Sequence, residues 1–245
     1  NAIVGKARPG DLGVDAIHIN LHKTFSTPHG GGGPGSGPVA FSEALAPYVP
    51  LPLIVQDGDG YRLVEQRAGE AASSIGRMRS FHGQMGMFTR ALAYMMSHGA
   101  DGLRQVAEDA VLNANYLLES LKGDLSAPYP GPCMHEALFD DTFLAGTGIS
   151  VLDFAKAMID EGYHPMTVYF PLVVHGAMLT EPTETEGKES LDHMIAVLKD
   201  LAASAKSGDT ERFTEAPRYT FRRRVDETAA ARNLILRWTP PLPQP

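Results

Sequence analysis

The sequence of 245 residues predicts an α/β chain, because strand-like and helix-like patterns alternate along it. Residues 15–22 alternate, with Ile17, Ile19 and Leu21 on one face and His18, Asn20 and His22 on the other. Residues 88–98 and 103–121 instead carry apolar side chains at helical spacing, as in Leu103, Val106, Ala110, Ala114, Leu117 and Leu121. After residue 132, short strand-like runs alternate with helices that carry their own start and stop signals.

Taken in order, the first strand runs straight into Lys23-Thr24-Phe25. A loop follows in which six of the eight residues from 30 to 37 are glycine. A short apolar piece at 38–41 and a proline-rich crossing at 47–52 come next, then the two helical stretches. Residues 128–132, bounded by prolines, break the pattern, so residues 1–124 are read as one domain and 125–245 as a small α+β domain. Within the second domain, residues 135–139 read as a strand. A helix over 151–161 is capped by Ser150 with Asp153 three positions on, and Gly162 ends it. Residues 167–174 read as a β-branched strand. A second helix is expected to start at Thr183, with Glu186 completing a capping box, and to run to about Ala205. The remainder is polar and irregular, and no internal repeat is found.

Composition narrows the function. Hydrophobic residues make up 43% and charged residues 20%, ordinary for a globular chain. A net charge of −8 argues against a nucleic-acid surface. The run Arg222-Arg223-Arg224 is followed at once by Asp226 and Glu227 and reads as solvated or ion-paired. One cysteine, Cys133, rules out an internal disulfide framework and fits a reducing, cytoplasmic setting. It reads as a small buried hydrophobe. No apolar run reaches the roughly 20 residues that cross a bilayer, so no membrane contact is expected. The chain opens at Asn1, in what reads as the middle of a domain, so a fragment is expected.

Lys23 is the first candidate for chemistry. A lysine at the C-terminal end of a strand, before a glycine-rich loop, stands where α/β sheets hold ligands. Packing of its stem would desolvate the amine and free it as a nucleophile for a carbonyl. The position also suits a surface lysine. The loop, with Gly30, Gly31, Gly32, Gly33 and Gly35, suggests unusual backbone angles or close approach to another group, and its amides could bind an anion. Gly30, Gly32 and Gly35 match GxGxxG, but Pro34 inside it and the lack of a following helix weaken a dinucleotide reading. A Walker loop fails for want of Gly-Lys-Ser/Thr. His18 and His22 lie on one strand face but about 13 Å apart, too far to share a metal, so no metal site is expected there.

Read together, residues 18–25 (HINLHKTF) and 28–38 (PHGGGGPGSGP) closely resemble the cofactor-lysine segment of glycine decarboxylase, the P-protein of the glycine cleavage system. The resemblance continues through Leu45-Ala46-Pro47-Tyr48-Val49-Pro50, Ser74-Ile75-Gly76-Arg77 and Arg79-Ser80-Phe81. It includes Gly131-Pro132 with Met134-His135-Glu136, Gly162-Tyr163-His164-Pro165, residues 167–171 (TVYFP) and residues 181–186 (EPTETE). The tail from Asp226-Glu227 to Ala231-Arg232, with Leu236-Arg237-Trp238, fits as well. The chain looks most like the C-terminal half of the second (β) subunit of the bacterial two-subunit enzyme. Met166, His82-Gly83-Gln84 and Phe221 depart from the family's usual residues, all away from the lysine.

The resemblance implies a PLP-dependent transferase of fold type I, aspartate-aminotransferase-like, with the end of the large domain followed by a small C-terminal α+β domain. It implies glycine decarboxylation with transfer of the aminomethyl group to lipoylated H-protein. Lys23 would carry pyridoxal 5′-phosphate (PLP), with His22 and Asn20 beside it. The loop of Gly30, Gly31, Gly32, Gly33 and Gly35 would shape the channel for glycine and the lipoyl arm. An α subunit, in an α2β2 assembly, is the implied partner. The aspartate that holds the pyridine nitrogen should lie upstream, since Asp11 and Asp15 read as loop or strand-edge charges; the fragment alone is therefore expected to bind PLP poorly. Arg77 and Arg79 are candidates for the glycine carboxylate. Another fold-type-I enzyme and a non-catalytic assembly subunit stand as alternatives; Lys23 speaks against the second.

Overall fold

The computed structural model describes residues 1–27, 35–65, 73–79 and 82–240. It divides into two compact units, Asn1–Ala110 and Val111–Pro245.

In the first unit, β1 (Ala16–His18) pairs antiparallel with β2 (Val39–Phe41), with Ile17 opposite Ala40. The first strand is shorter than the alternation of residues 15–22 predicts. Its backbone bonding nevertheless continues, Ile19 N to Pro38 O at 3.0 Å and Leu21 N to Ser36 O at 3.1 Å. The expected inward face holds: Ile17 and Ile19 are half-buried and Leu21 is buried. A second hairpin, β3 (Leu53–Asp57) and β4 (Gly60–Val64), turns at Gly58 with φ 58°. Its two-residue Gly58-Asp59 loop, with glycine at the first central position, between two β-rich runs is the sequence signal for it. The helix α1 (Met85–Leu121) joins the two predicted helical stretches and is broken between them at Gly99, where φ is 64° and ψ −175°. Its buried Ala91, Val106, Ala107 and Ala110 belong to the first unit, where Lys6 pairs with Glu108 at 2.6 Å.

The second unit is built on a three-stranded antiparallel sheet in the order β5 (Ala137–Phe139), β7 (Met178–Thr180), β6 (Thr167–Val168). The helices α2 (Val151–Asp160) and α3 (Lys188–Ser207) and the C-terminal turns of α1 pack around it. Their core includes Leu117, Leu121, Phe139, Phe154, Met158, Met178, Leu198, Leu201 and Phe213, all fully buried. Phe154 is its centre, edge-on to Phe143 at 5.3 Å and stacked on Phe213 at 6.0 Å. Phe213 belongs to α4 (Glu211–Thr214); a last short helix, α5 (Glu227–Arg232), follows.

The predicted capping box of α2 is present, Ser150 and Asp153 bonding each other's backbone N–H groups. Three boundaries in this unit differ from expectation, the strand expected from His135 beginning only at Ala137. The strand at 167–174 stops after Val168, because Tyr169 turns into the left-handed region at φ 58°. The helix expected from Thr183 begins at Lys188 after Gly187. Thr183 Oγ1 instead bonds Thr185 Oγ1 at 2.6 Å, and Asn113 Nδ2 donates to the carbonyls of Thr183 and Glu186, each at 3.0 Å. Arg224 of the arginine run pairs with Asp153 at 2.6 Å, while Arg222 and Arg223 are exposed. Cys133 is half-buried and packs against the core, and burial pushes its thiol up. No helix among the described residues is long and apolar enough to cross a membrane.

Candidate active site

The segment around Lys23 is a loop with pinned ends. Leu21 and Thr27, both buried, meet through Thr27 N donating to Leu21 O at 3.3 Å. Within the loop, Lys23 N donates to Asn20 O at 3.2 Å, the bond of a tight turn. This turn brings Asn20, His22 and Lys23 together: Asn20 and His22 half-buried, Lys23 exposed. The packed, desolvated stem expected for Lys23 is not seen, because the turn lifts the residue out of the strand.

Neighbouring side chains fix the loop. Arg90 of α1 donates through Nε and a terminal nitrogen to Ser26 O, at 3.2 and 3.1 Å. Phe25 meets Tyr94 edge-on with ring centroids 6.3 Å apart, and Thr24 Oγ1 donates to Asn1 Oδ1 at 3.1 Å. On the strand side, His18 Nε2 and Asn20 Oδ1 are 2.6 Å apart, so Asn20 is held by a hydrogen bond from the imidazole. Gly37 lies against this pair. A Cβ there would come within 2.5 Å of His18 Cε1, and nearer still to the Ile19 carbonyl oxygen. Next to it, the buried Ser36 hydroxyl has no hydrogen-bond partner.

Gly30, Gly31, Gly32 and Gly33 lie outside the described residues, as do Pro28 and His29. Gly35 is exposed and borders open space. Asp11 pairs with Arg8, and Asp15 accepts from Ser42 Oγ, the surface roles expected of them. Arg77 pairs with Glu65 at 2.8 Å.

In the second unit, the segments 162–165 and 181–186 line one cleft of about 420 Å³. Glu136, Tyr163, His164, Thr180, Glu181 and Glu186 are among its walls. Sequence reading assigned no chemistry to this cleft, since only the pairing of β5 with β7 brings residues 135–136 beside 180–181.

The chain matches the family described as glycine dehydrogenase, C-terminal domain, over residues 106–217. It is 67% identical over 242 residues to a probable glycine dehydrogenase (decarboxylating) subunit 2 of Caulobacter vibrioides, covering 98% of this chain and 46% of that protein. Over these stretches the chain is similar to the glycine dehydrogenase family. A relative of the same name from Oceanobacillus iheyensis is 49% identical over 98% of this chain and 48% of its own length. The chain thus spans about half the length of the curated relatives it matches and corresponds to the C-terminal half of the second subunit.

A crystal structure of glycine decarboxylase (P-protein) in inhibitor-bound form superposes with a TM-score of 0.65 at 21% identity, covering 80% of this chain and 46% of that one. A C-DES mutant with glycine covalently linked to its PLP cofactor superposes at 0.57 and 14% identity, covering 78% of this chain and 47% of that one. These likenesses give the chain the aspartate-aminotransferase-like fold, type I, of the two superposed structures.

Proposed function

We propose that this chain is the lysine-bearing half of a PLP-dependent glycine decarboxylase, acting in the cytoplasm as part of the glycine cleavage system. The observation that carries the reading is the 67% identity to a glycine dehydrogenase subunit over 98% of the chain, with Lys23 on an exposed, pinned turn inside the matched region. In this reading residues 1–124 close the large cofactor domain and 125–245 form the small one.

The residues at the turn fit the cofactor. Lys23 offers a reachable amine, and the buried Ser36 hydroxyl next to the Leu21 backbone has an unused hydrogen-bonding valence. Lys23 would hold PLP covalently, and His22 and Asn20 would flank it. When bound, PLP supplies an electron sink for the charge left on glycine as carbon dioxide departs. The protein's own work is positional. Arg90 and the Phe25–Tyr94 contact hold the lysine loop, so the backbone that carries the amine is fixed. His18 holds the Asn20 amide oxygen, which leaves its NH2 group as the remaining donor. The loop of Gly30, Gly31, Gly32, Gly33 and Gly35 would form the mouth for the lipoyl arm of H-protein, its missing side chains leaving room for a long thin substituent. The relatives' name, subunit 2, supports an α-subunit partner, with α2β2 the simplest symmetric assembly.

The test is release of carbon dioxide from glycine by the intact gene product with its α subunit and lipoylated H-protein. Turnover that needs all three and vanishes in Lys23→Ala is expected. Turnover undiminished by Lys23→Ala, or none with every component present, would overturn the reading.

A further inference from the structure

The cleft of the second unit is bordered by residues to which the proposed function gives no role. Ala137 of β5 lies opposite Thr180 of β7, and continuing this register sets Glu136 opposite Glu181. Two carboxylates facing each other across an antiparallel pair repel, which costs stability unless a positive charge joins them. His135 stands beside them. One ligand atom from each of His135, Glu136 and Glu181 lies within 4.8 Å of the other two.

These groups are not consumed by bonding among themselves. His135 Nε2 is 3.8 Å from Glu181 Oε1, beyond hydrogen-bond range, and the buried His135 Nδ1 has no partner. An independent observation comes from Thr180. The residue is only 5% exposed, borders the same cleft, and its buried hydroxyl is unpartnered. A buried hydroxyl without a partner costs free energy that a bound water or ligand would recover. The charge of the cleft selects the ligand. Glu136, Glu181 and Glu186 line it, and its described lining contains neither lysine nor arginine.

We infer that His135, Glu136 and Glu181 form a binding site for one divalent transition-metal ion of the zinc type. An imidazole nitrogen with two carboxylate oxygens is a zinc donor set, whereas calcium and magnesium favour oxygen alone. Zinc bonds of about 2.0–2.2 Å place tetrahedral ligands roughly 3.4 Å apart. Rotamer changes of the partly exposed Glu181 close the gap from the present spacing. Water completes the coordination. The ion ties the ends of β5 and β7 together and neutralises the facing glutamates.

The experiment titrates the chelator-treated chain with Zn²⁺ by calorimetry, with Co²⁺ as a visible-absorption probe and circular dichroism to check each variant's fold. One equivalent of Zn²⁺ per chain is expected, with a rise in Tm and a cobalt spectrum typical of low coordination number. His135→Gln and the isosteric Glu181→Gln should each weaken uptake at least tenfold, while His164→Gln, in the same cleft but outside the cluster, should not. Absence of saturable uptake by the wild-type chain overturns the inference whatever the variants do, and leaves a histidine–glutamate charge cluster. Uptake undiminished in folded Glu136→Gln/Glu181→Gln also overturns it, because the ion would then sit elsewhere.

Discussion

Replacing Gly37 with alanine would add a single methyl group where the β1–β2 ladder passes closest to the lysine loop. That methyl would stand 2.5 Å from His18 Cε1 and nearer still to the Ile19 carbonyl oxygen, when ordinary contacts begin near 3.4 Å. The exposed His18 ring can swing away, but doing so breaks its bond to Asn20 Oδ1. The Ile19 carbonyl is backbone and moves only if the paired strands part by roughly 1 Å. Overpacking of this kind costs about 1–3 kcal/mol, and at about 2–4 °C per kcal/mol the Tm should fall by roughly 2–12 °C. The displaced residues lead directly into the Asn20–Lys23 turn, and a shift of about 1 Å at a reacting group can cost about 100-fold in rate. Differential scanning fluorimetry and the glycine decarboxylation assay would read the two effects. Gly35→Ala, where a Cβ meets open space and φ is not left-handed, is the stability control and should shift Tm by less than about 2 °C. Wild-type Tm and turnover in Gly37→Ala would refute the close approach and the coupling drawn from it.

Other expectations concern the second unit. Phe154→Ala removes a fully buried ring between Phe143 and Phe213 and should cost about 3–5 kcal/mol, seen as a lowered urea midpoint; a midpoint within error of wild type would contradict the packing. Burial alone would raise the Asp153 carboxyl, but the bonds from Ser150 and the Arg224 guanidinium outweigh it and hold it below the ordinary aspartate value. Since the folded state lowers this value, the stabilisation is present above the unfolded value of about 3.9 and is lost as pH falls through the folded one. Asp153→Asn should therefore be less stable than wild type at pH 7 and converge on it in strong acid, in urea titrations across pH. A stability gap independent of pH would remove Asp153's charge from the explanation.

Local signals were the legible part of the fold. Ser150 and Asp153 announce the start of α2 because both partners of the capping box lie within four residues. The apolar spacing of residues 103–121 likewise follows the buried face of α1 from Val106 to Leu121. The start of α3 was misread because the same kind of motif, Thr183 to Glu186, meets a remote competitor: Asn113 binds the carbonyls of both residues, and the chain enters the helix only at Lys188. The strand at 167 was read too long because β-branched residues favour extension, while the left-handed Tyr169 ends the pairing. The hairpin of β3 and β4 is signalled locally by its Gly58-Asp59 loop between two β-rich runs.

At the candidate site, the adjacency of Asn20, His22 and Lys23 was written in the sequence, but their support was not. Arg90 reaches Ser26 from 64 positions away, and no periodicity announces that contact. The exposure of Lys23 agrees with the surface position its sequence context also allows; the turn that lifts it out of the strand is not visible in the sequence. The cluster of His135, Glu136 and Glu181 is a product of strand register and becomes visible only when β5 and β7 pair.

The central claim is that Lys23 carries the cofactor, and chemical trapping tests it most directly. The intact gene product is loaded with PLP, reduced with borohydride, digested and mapped by mass spectrometry. A phosphopyridoxyl label on Lys23, absent from Lys23→Ala, is the result the account requires. A label at another lysine, or one that persists in Lys23→Ala, would contradict it.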